Sequence, residues 1–150
     1  MKLSTKTRYG TRILIELALK KDHGPIQVSK IAYSQKIPVK YLEQLLRTLQ
    51  LAGLVKSVRG PKGGHLLVNS PDTITLGQIV RLFEGQTDLV ECVSFPEKCN
   101  MSAECLVRQA WHDATGALYK ELDSITIADL VANNTILGQP LCPVIEIKDK

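Results

Sequence analysis

The chain has 150 residues, of which 44% are hydrophobic, and it carries a formal net charge of +4 at pH 7. This length suits one compact domain, or a small domain with an appended helix, and the hydrophobic content argues against a disordered protein. The N-terminus has the pattern of a charged amphipathic helix without the apolar core of a secretory signal, and no apolar stretch is long enough to span a bilayer. We therefore expect a cytoplasmic protein with no membrane partner.

The charge is divided unevenly along the chain. Residues 1–68 contain thirteen Lys and Arg against three acidic residues, a net charge of +10. Residues 69–150 contain six basic and twelve acidic residues, a net charge of −6. A basic half of this kind favours nucleic-acid binding over a merely solvated surface, because DNA presents a dense row of phosphates.

The basic half has the pattern of a winged helix-turn-helix. Amphipathic spacing predicts helices over residues 4–20, 27–35 and 38–52. Two short β-prone runs, 54–58 and 65–68, flank a basic glycine-rich turn and predict a hairpin. A short second helix, a tight turn and a longer third helix with a polar outer face indicate helix-turn-helix, and the hairpin that follows indicates a wing.

The acidic half is predicted to be helical on both sides of an irregular segment. Thr75 is placed to cap a helix that ends at Gly85, and a long helix is predicted over residues 104–123. Thr126 is placed to cap a last short helix. The segment between the first two helices, residues 91–103, shows no periodicity and is predicted to be a loop shaped by a bound centre.

Three of the four cysteines lie close together in this irregular region, at Cys92, Cys99 and Cys105. A cytosolic redox environment disfavours structural disulfides, and an odd triplet cannot pair within itself. Thiolates grouped in this way select soft metals, so the segment predicts an iron–sulfur, zinc or copper(I) site.

Four stretches of the sequence, in order and at matching spacing, resemble a known family. They are residues 1–9, with Met-Lys-Leu-Ser and Arg-Tyr; residues 41–45, Tyr-Leu-Glu-Gln-Leu; residues 53–65; and the three cysteines followed by a helix. From Met1 to about Asn133 the chain resembles the iron–sulfur cluster regulator family of winged-helix repressors, which includes the IscR and NsrR types. It is most similar to the IscR type.

The resemblance implies a mainly α fold with a small β-hairpin wing, in which a winged helix-turn-helix precedes a long C-terminal dimerisation helix. The implied organisation is a DNA-binding domain over residues 1–85 and a cluster-binding loop over residues 86–103. The dimerisation helix and terminal helix would span residues 104–133, and a loosely held tail residues 134–150. Such a protein would be a homodimer that binds double-stranded DNA at an imperfect palindrome, and it would not be an enzyme.

The resemblance also implies which residues read DNA. The expected major-groove readers are Lys40, Tyr41, Glu43 and Gln44, and the expected wing contacts are Arg59, Gly60 and Lys62. The chemistry agrees, since Gln44 can read an adenine edge and Arg59 suits a narrow minor groove. Glu43 repels phosphate but can accept a hydrogen bond from cytosine, so we expect it to provide specificity more than affinity.

The implied cofactor is an iron–sulfur cluster, expected to be of the 2Fe-2S type, held by Cys92, Cys99 and Cys105. At the position where the IscR-type site has a histidine, this chain has Arg108, which stays protonated and is not an iron ligand. The fourth ligand is therefore left open between His112, Cys142, Glu104, water and a residue of a partner chain.

The resemblance implies a repressor-type regulator that senses cluster status, iron, or redox and nitric-oxide stress through this cluster. Two alternatives stay open. One is a winged-helix regulator in which the cysteines form a structural zinc site. The other is a metal-free thiol switch, in which the cysteines themselves are oxidised.

Overall fold

The computed structural model describes residues 2–136, with side chains as far as residue 133. This part of the chain folds into seven α-helices, three short 3₁₀ turns and one antiparallel hairpin. The helices are α1 (Thr5–Leu19), α2 (Val28–Gln35), α3 (Val39–Leu51), α4 (Leu76–Glu84), α5 (Glu91–Ser94), α6 (Leu106–Ser124) and α7 (Ile127–Ile136). The strands are β1 (Val55–Val58) and β2 (Gly64–Leu67), and the 3₁₀ turns are Lys21–His23, Pro71–Thr73 and Pro96–Lys98.

Helices α1, α2 and α3 and the hairpin of β1 and β2 confirm the predicted winged helix-turn-helix. α2 ends at Lys36, whose left-handed backbone (φ 54°, ψ 45°) turns the chain sharply toward α3. Pro38, predicted as the first residue of the third helix, is instead the N-cap of α3, one residue before the helix begins. Gly53 follows the helix with φ +72°, the left-handed conformation that commonly ends helices.

The hydrophobic core lies where α1, α2 and α3 meet and continues toward α4 and α7. The helical spacing of the apolar residues puts one stripe of each helix into this core. Side chains that are at most 2% exposed come from all of these elements: Ile13, Leu14, Leu17, Ile31, Leu42, Leu46, Leu49, Ile79 and Ile127. Ile127 belongs to the core cluster and α7 packs against α1, so the last helix returns to the basic half of the chain.

Two reciprocal caps fix the helices of the acidic half. The Thr75 hydroxyl accepts from the Gln78 backbone N–H at 3.2 Å, while the Gln78 side chain accepts from the Thr75 N–H at 3.1 Å. Thr126 and Asp129 form the same arrangement at the start of α7, at 3.0 and 2.9 Å. Both predicted caps are confirmed, and each such cap contributes about 1 kcal/mol.

The region between α4 and α6 contains more regular structure than its sequence indicates. Residues predicted as a loop over 91–103 contain one helical turn, α5, and the 3₁₀ turn Pro96–Lys98. The long helix begins at Leu106, two residues later than predicted, because Cys105 has an extended backbone and serves as its N-cap. Periodicity cannot reveal single turns, since each contains too few residues to repeat.

No helix among the described residues is long and apolar enough to cross a membrane. The division of the chain at residues 85, 103 and 133 stays a prediction, and most of the proposed tail lies outside the described residues.

Candidate DNA-binding surface and cysteine segment

The outer face of α3 presents most of the predicted reading residues to solvent. Leu42, Leu45, Leu46 and Leu49 point inward and are at most 3% exposed. Lys40, Glu43 and Gln44 are all exposed, so their side chains lie together on the outward face. This arrangement fits a recognition helix, whose polar face must enter the major groove while its apolar face is held by the core.

Tyr41 differs from its neighbours because its side chain is held against α1. It is half-buried, and its hydroxyl lies 3.3 Å from the Thr5 Oγ1. Its ring meets the Tyr9 ring edge to face, with centroids 6.1 Å apart and an interplanar angle of 82°. Such aromatic pairs contribute about 0.5–1.5 kcal/mol, so Tyr41 ties the recognition helix to α1.

A buried polar network holds α1 against α2. Glu16 is 1% exposed, and its carboxylate accepts hydrogen bonds from Ser34 at 2.5 and 2.6 Å and from the Gln35 amide at 2.6 Å. Lys20 pairs with the same carboxylate at 2.9 Å. Arg12 reaches Gln35 from the other side, with its Nε 2.9 Å from the Gln35 Oε1. A buried charge is stable only when hydrogen-bond or ion-pair partners compensate for its lost hydration. This network therefore fixes the position of α1 relative to α2.

Neither the Glu16 network nor the contact between Tyr9 and Tyr41 was predicted from the sequence. A signal was present, since Glu16 lies among the core residues Ile13, Leu14 and Leu17 on an otherwise apolar stripe. A charged residue at a core position indicates a satisfied buried partner elsewhere in the chain. The partners, on α2, could not be identified from spacing alone.

The wing presents Arg59, Gly60 and Lys62 at its exposed tip. Gly60 has φ +114°, a conformation that glycine adopts without strain, and its carbonyl accepts from the Gly63 N–H at 2.9 Å. The hairpin pairs Val55 with Leu67 and Val58 with Gly64. The predicted DNA contacts on α3 and the wing therefore lie on separate exposed elements.

The base of the wing is fixed to the segment before α2. Ile26 and His65 exchange two backbone hydrogen bonds, of 2.9 and 2.8 Å. Gly64, with φ +157°, lets the chains approach, because a Cβ there would lie 2.4 Å from the Ile26 carbonyl. The His65 Nδ1 is buried without a hydrogen-bond partner among the described residues, and burial lowers the His65 pKa below its usual value.

The three cysteines lie at three different points of the segment between α4 and α6. Cys92 is in α5, Cys99 follows the 3₁₀ turn Pro96–Lys98, and Cys105 is the N-cap of α6. Each is a free thiol and half-exposed. The Nε of Arg108 donates to the Cys92 carbonyl at 3.0 Å, so the residue at the family's histidine position contacts the backbone of the segment.

Hydrogen bonds hold the start of this segment against α6. The Leu89 N–H donates to the Thr115 hydroxyl at 3.2 Å, and the Thr87 N–H donates to the Tyr119 hydroxyl at the same distance. Thr115 and Tyr119 are the buried residues of α6. Arg81 of α4 lies over the Tyr119 ring, 4.6 Å from its centroid, and pairs with Asp123 at 2.7 Å.

The thiols fit an iron–sulfur cluster by chemistry but are not gathered around a common point. Within residues 2–136, no group of three or more His, Cys, Asp or Glu side chains is placed to hold a metal ion. A cluster held by all three cysteines would therefore require the segment to close around it. Among the candidates for a fourth ligand, His112 lines a cavity of about 260 Å³ together with Cys105 and Arg108. Glu104 is exposed, and Cys142 lies outside the described residues.

The outward face of α6 is apolar and has no partner among the described residues. Leu106, Val107 and Trp111 are 97%, 49% and 40% exposed, respectively. Three small residues of the same helix are also exposed: Ala110, Ala114 and Ala117. Exposed apolar side chains grouped on one face of a helix are typical of a protein–protein contact surface.

A family model described as Rrf2, an iron-dependent transcriptional regulator, matches residues 3–133. The HTH-type transcriptional regulator CymR of Bacillus subtilis is 42% identical over 132 residues, which cover 88% of this chain and 91% of the relative. The HTH-type transcriptional regulator IscR of Aliivibrio salmonicida is 35% identical over 136 residues, covering 91% of this chain and 80% of the relative.

The solved structure of CymR, described as the global cysteine regulator of B. subtilis, matches with a TM-score of 0.75 and 41% identity. It covers 89% of this chain and 98% of that protein. The residues matched by the family model, 3–133, include the helix-turn-helix, the wing and the long helix. The chain therefore belongs to the Rrf2 family of DNA-binding transcriptional regulators, of the repressor type, and is not an enzyme.

Proposed function

We propose that this protein is a homodimeric repressor that senses iron–sulfur cluster status, iron, or redox and nitric-oxide stress through Cys92, Cys99 and Cys105. The observation that carries the proposal is the placement of three free, half-exposed thiols in one short segment beside the long helix. The family description and the IscR relative support it. As a regulator that binds DNA, it would act in the cytoplasm.

The three thiolates would supply the soft ligands that an iron–sulfur cluster requires, and the expected cluster is 2Fe-2S. The fourth position would be taken by a weaker or exchangeable ligand, because Arg108 stays protonated and contacts the Cys92 carbonyl instead. The segment connects directly to α4 and is hydrogen-bonded to α6. A change in its shape can therefore reach both the DNA-binding half and the proposed dimer face.

We propose that two chains associate along α6. Leu106, Val107 and Trp111 would be covered by the partner, and the alanines along the helix would allow the two helices to approach closely. A two-fold dimer carries two equivalent recognition helices, so its target would be an imperfect palindrome. In each half-site, Lys40, Glu43 and Gln44 would face base edges, while Arg59 and Lys62 would contact the minor groove or phosphates.

A second candidate is a metal-free thiol switch. The similarity to CymR, whose solved structure is described as that of the global cysteine regulator of B. subtilis, favours it. Hydrogen peroxide would oxidise a half-exposed thiolate to a sulfenic acid and be reduced to hydroxide, and condensation of the sulfenic acid with a second cysteine thiol would give a disulfide and water. Either product would change the segment without any metal.

Anaerobic purification followed by absorption spectroscopy and metal and sulfide analysis separates these functions. We expect visible charge-transfer bands with iron and acid-labile sulfide in the wild type. We also expect these bands to be lost in Cys92→Ala, Cys99→Ala or Cys105→Ala. Ser102→Ala, in the same segment, is the matched control and should retain the bands. Colourless protein with stoichiometric zinc would indicate a structural site, and colourless metal-free protein that loses DNA binding on oxidation would indicate the thiol switch.

A further inference from the structure

A basic cleft lies between the wing tip and the start of α2. It has a volume of about 410 Å³. Its walls come from the turn before α2, from the start of α2 and from the wing. The lining residues are His23, Pro25, Gln27, Lys30, Pro61, Lys62 and Gly63.

The chemistry of the lining points to an anionic ligand. Three of its described side chains, His23, Lys30 and Lys62, are cationic or can become so, and none of the lining residues that the structure describes is acidic. The surrounding basic half reinforces their field, because residues 1–68 carry a net charge of +10. Among the described lining residues, His23 is the only aromatic ring on which a base could stack, which argues against a nucleotide pocket.

The cleft is formed before any ligand arrives. The backbone bridge between Ile26 and His65 holds the wing against the segment that leads into α2. The Gln27 amide also donates to the Pro61 carbonyl across the cleft, at 3.4 Å. Both walls are thus fixed to each other, so binding an anion here requires little ordering of the chain.

We propose that this cleft binds a phosphate of the DNA backbone flanking the base pairs that the wing contacts. Lys62 links the two surfaces, since it belongs to the wing tip and also lines the cleft. Lys30 and His23 would then contact DNA in addition to the residues of the recognition helix and the wing tip. Contacts of this kind set the position of the protein on the duplex and carry no sequence preference.

The test is the salt dependence of DNA binding by Lys30→Gln, measured by fluorescence anisotropy on a mixed-sequence duplex of about 30 base pairs, roughly three helical turns. Since a phosphate contact is independent of sequence, no operator is needed. We expect several-fold weaker binding at low salt, and a slope of log K against log salt that is smaller by about 0.9 per bound chain. Lys30→Arg should retain the wild-type slope.

Lys21→Gln is the matched control, because Lys21 lies on the same 3₁₀ turn as His23 but lines a different cavity, with Asp72 and Ala128. It should leave the slope unchanged. If Lys30→Gln lowers stability, His23→Gln is the second variant, and it should also weaken binding on any duplex. A slope for Lys30→Gln equal to that of the wild type would overturn the proposal, as would an equal loss in Lys21→Gln.

Inorganic phosphate provides a separate arm that distinguishes the source of the anion. Under the proposal, phosphate at matched ionic strength displaces DNA more strongly than chloride does, and this excess is lost in Lys30→Gln. If phosphate binds the free wild-type protein but not Lys30→Gln in isothermal titration calorimetry, and yet displaces DNA no more than chloride does, the cleft is a site for a free anion and the assignment to DNA is wrong.

Discussion

Glu84, the last residue of α4, caps the amino-terminal end of α1 by accepting hydrogen bonds from Ser4. One carboxylate oxygen accepts from the Ser4 N–H at 2.8 Å and from the Ser4 hydroxyl at 2.7 Å, and it accepts a third, short bond from the Thr7 hydroxyl. Ser4 is the N-cap of α1, but its own side chain makes no capping bond. A carboxylate from another helix therefore supplies the negative charge that favours a helix N-terminus.

Glu84→Ala should destabilise the fold by about 1 kcal/mol at pH 7, the usual cost of losing a cap. The hydrogen bonds from Thr7 and Ser4 hold the pKa of the Glu84 carboxyl below its ordinary value. Its contribution is therefore present above the ordinary glutamate pKa of about 4.3 and is lost as the pH falls through the lower folded-state pKa. Urea denaturation at several pH values checks this, with the exposed Glu97→Gln as control. A difference between wild type and variant that stays constant down to pH 2 would contradict it.

Protonation of His65 should lower the free energy of unfolding in a higher pH range than protonation of Glu84 does. Burial lowers the pKa of its imidazole in the folded state, and the ordinary value applies in the unfolded state. The unfolded chain therefore binds the proton first, and stability declines as the pH falls below about 6.5, levelling off below the folded-state pKa. His65→Leu should flatten the curve between pH 7 and 5. His23→Gln, at an exposed histidine, should leave the decline as it is in the wild type.

The sequence predicted the winged helix-turn-helix well because strong periodicities coincide with caps and turns. The leucine stripe of α3 and the reciprocal caps at Thr75 and Thr126 are local patterns, and the structure confirms each of them. The contacts that position the site are not local. Tyr41 contacts Thr5 and Tyr9, and Glu84 accepts a hydrogen bond from Ser4. The partners are tens of residues apart in the sequence, so the spacing of residues within one helix or strand does not predict these contacts.

The DNA-reading residues should divide into two classes. Arg59→Ala should weaken binding to all duplexes, since a wing arginine neutralises phosphate or minor-groove potential. Glu43→Ala should instead relax base preference, because each lost base contact changes discrimination by about 1–3 kcal/mol. Selection from random duplexes followed by sequencing measures both effects. Identical site preferences for Glu43→Ala and the wild type would remove Glu43 from the specificity set.

The apolar face of α6 gives a prediction about assembly. Ala110→Glu places a charge amid the exposed residues Leu106, Val107 and Trp111, where a close helix partner would have to desolvate it. We expect the variant to be monomeric in analytical ultracentrifugation and to retain the helical content of the wild type. Lys120→Glu, on the same helix but at an exposed charged position, is the control. A dimeric Ala110→Glu protein would place the dimer contact elsewhere.

The fourth ligand of the proposed cluster gives the last prediction, which depends on the cluster being present. With Arg108 bonded to the Cys92 carbonyl, the fourth position falls to a weaker or exchangeable ligand, and the cluster should lose iron to oxygen, nitric oxide or chelators readily. Arg108→His restores the family's histidine and should slow the loss of iron to a chelator under anaerobic conditions.

Single substitutions His112→Ala, Glu104→Gln and Cys142→Ala, compared by absorption and EPR spectra, then identify the present ligand. A spectral change in Cys142→Ala alone would indicate a fourth thiolate and contradict the idea of a weak ligand, whereas unchanged spectra in all three would favour water or a residue of the partner chain.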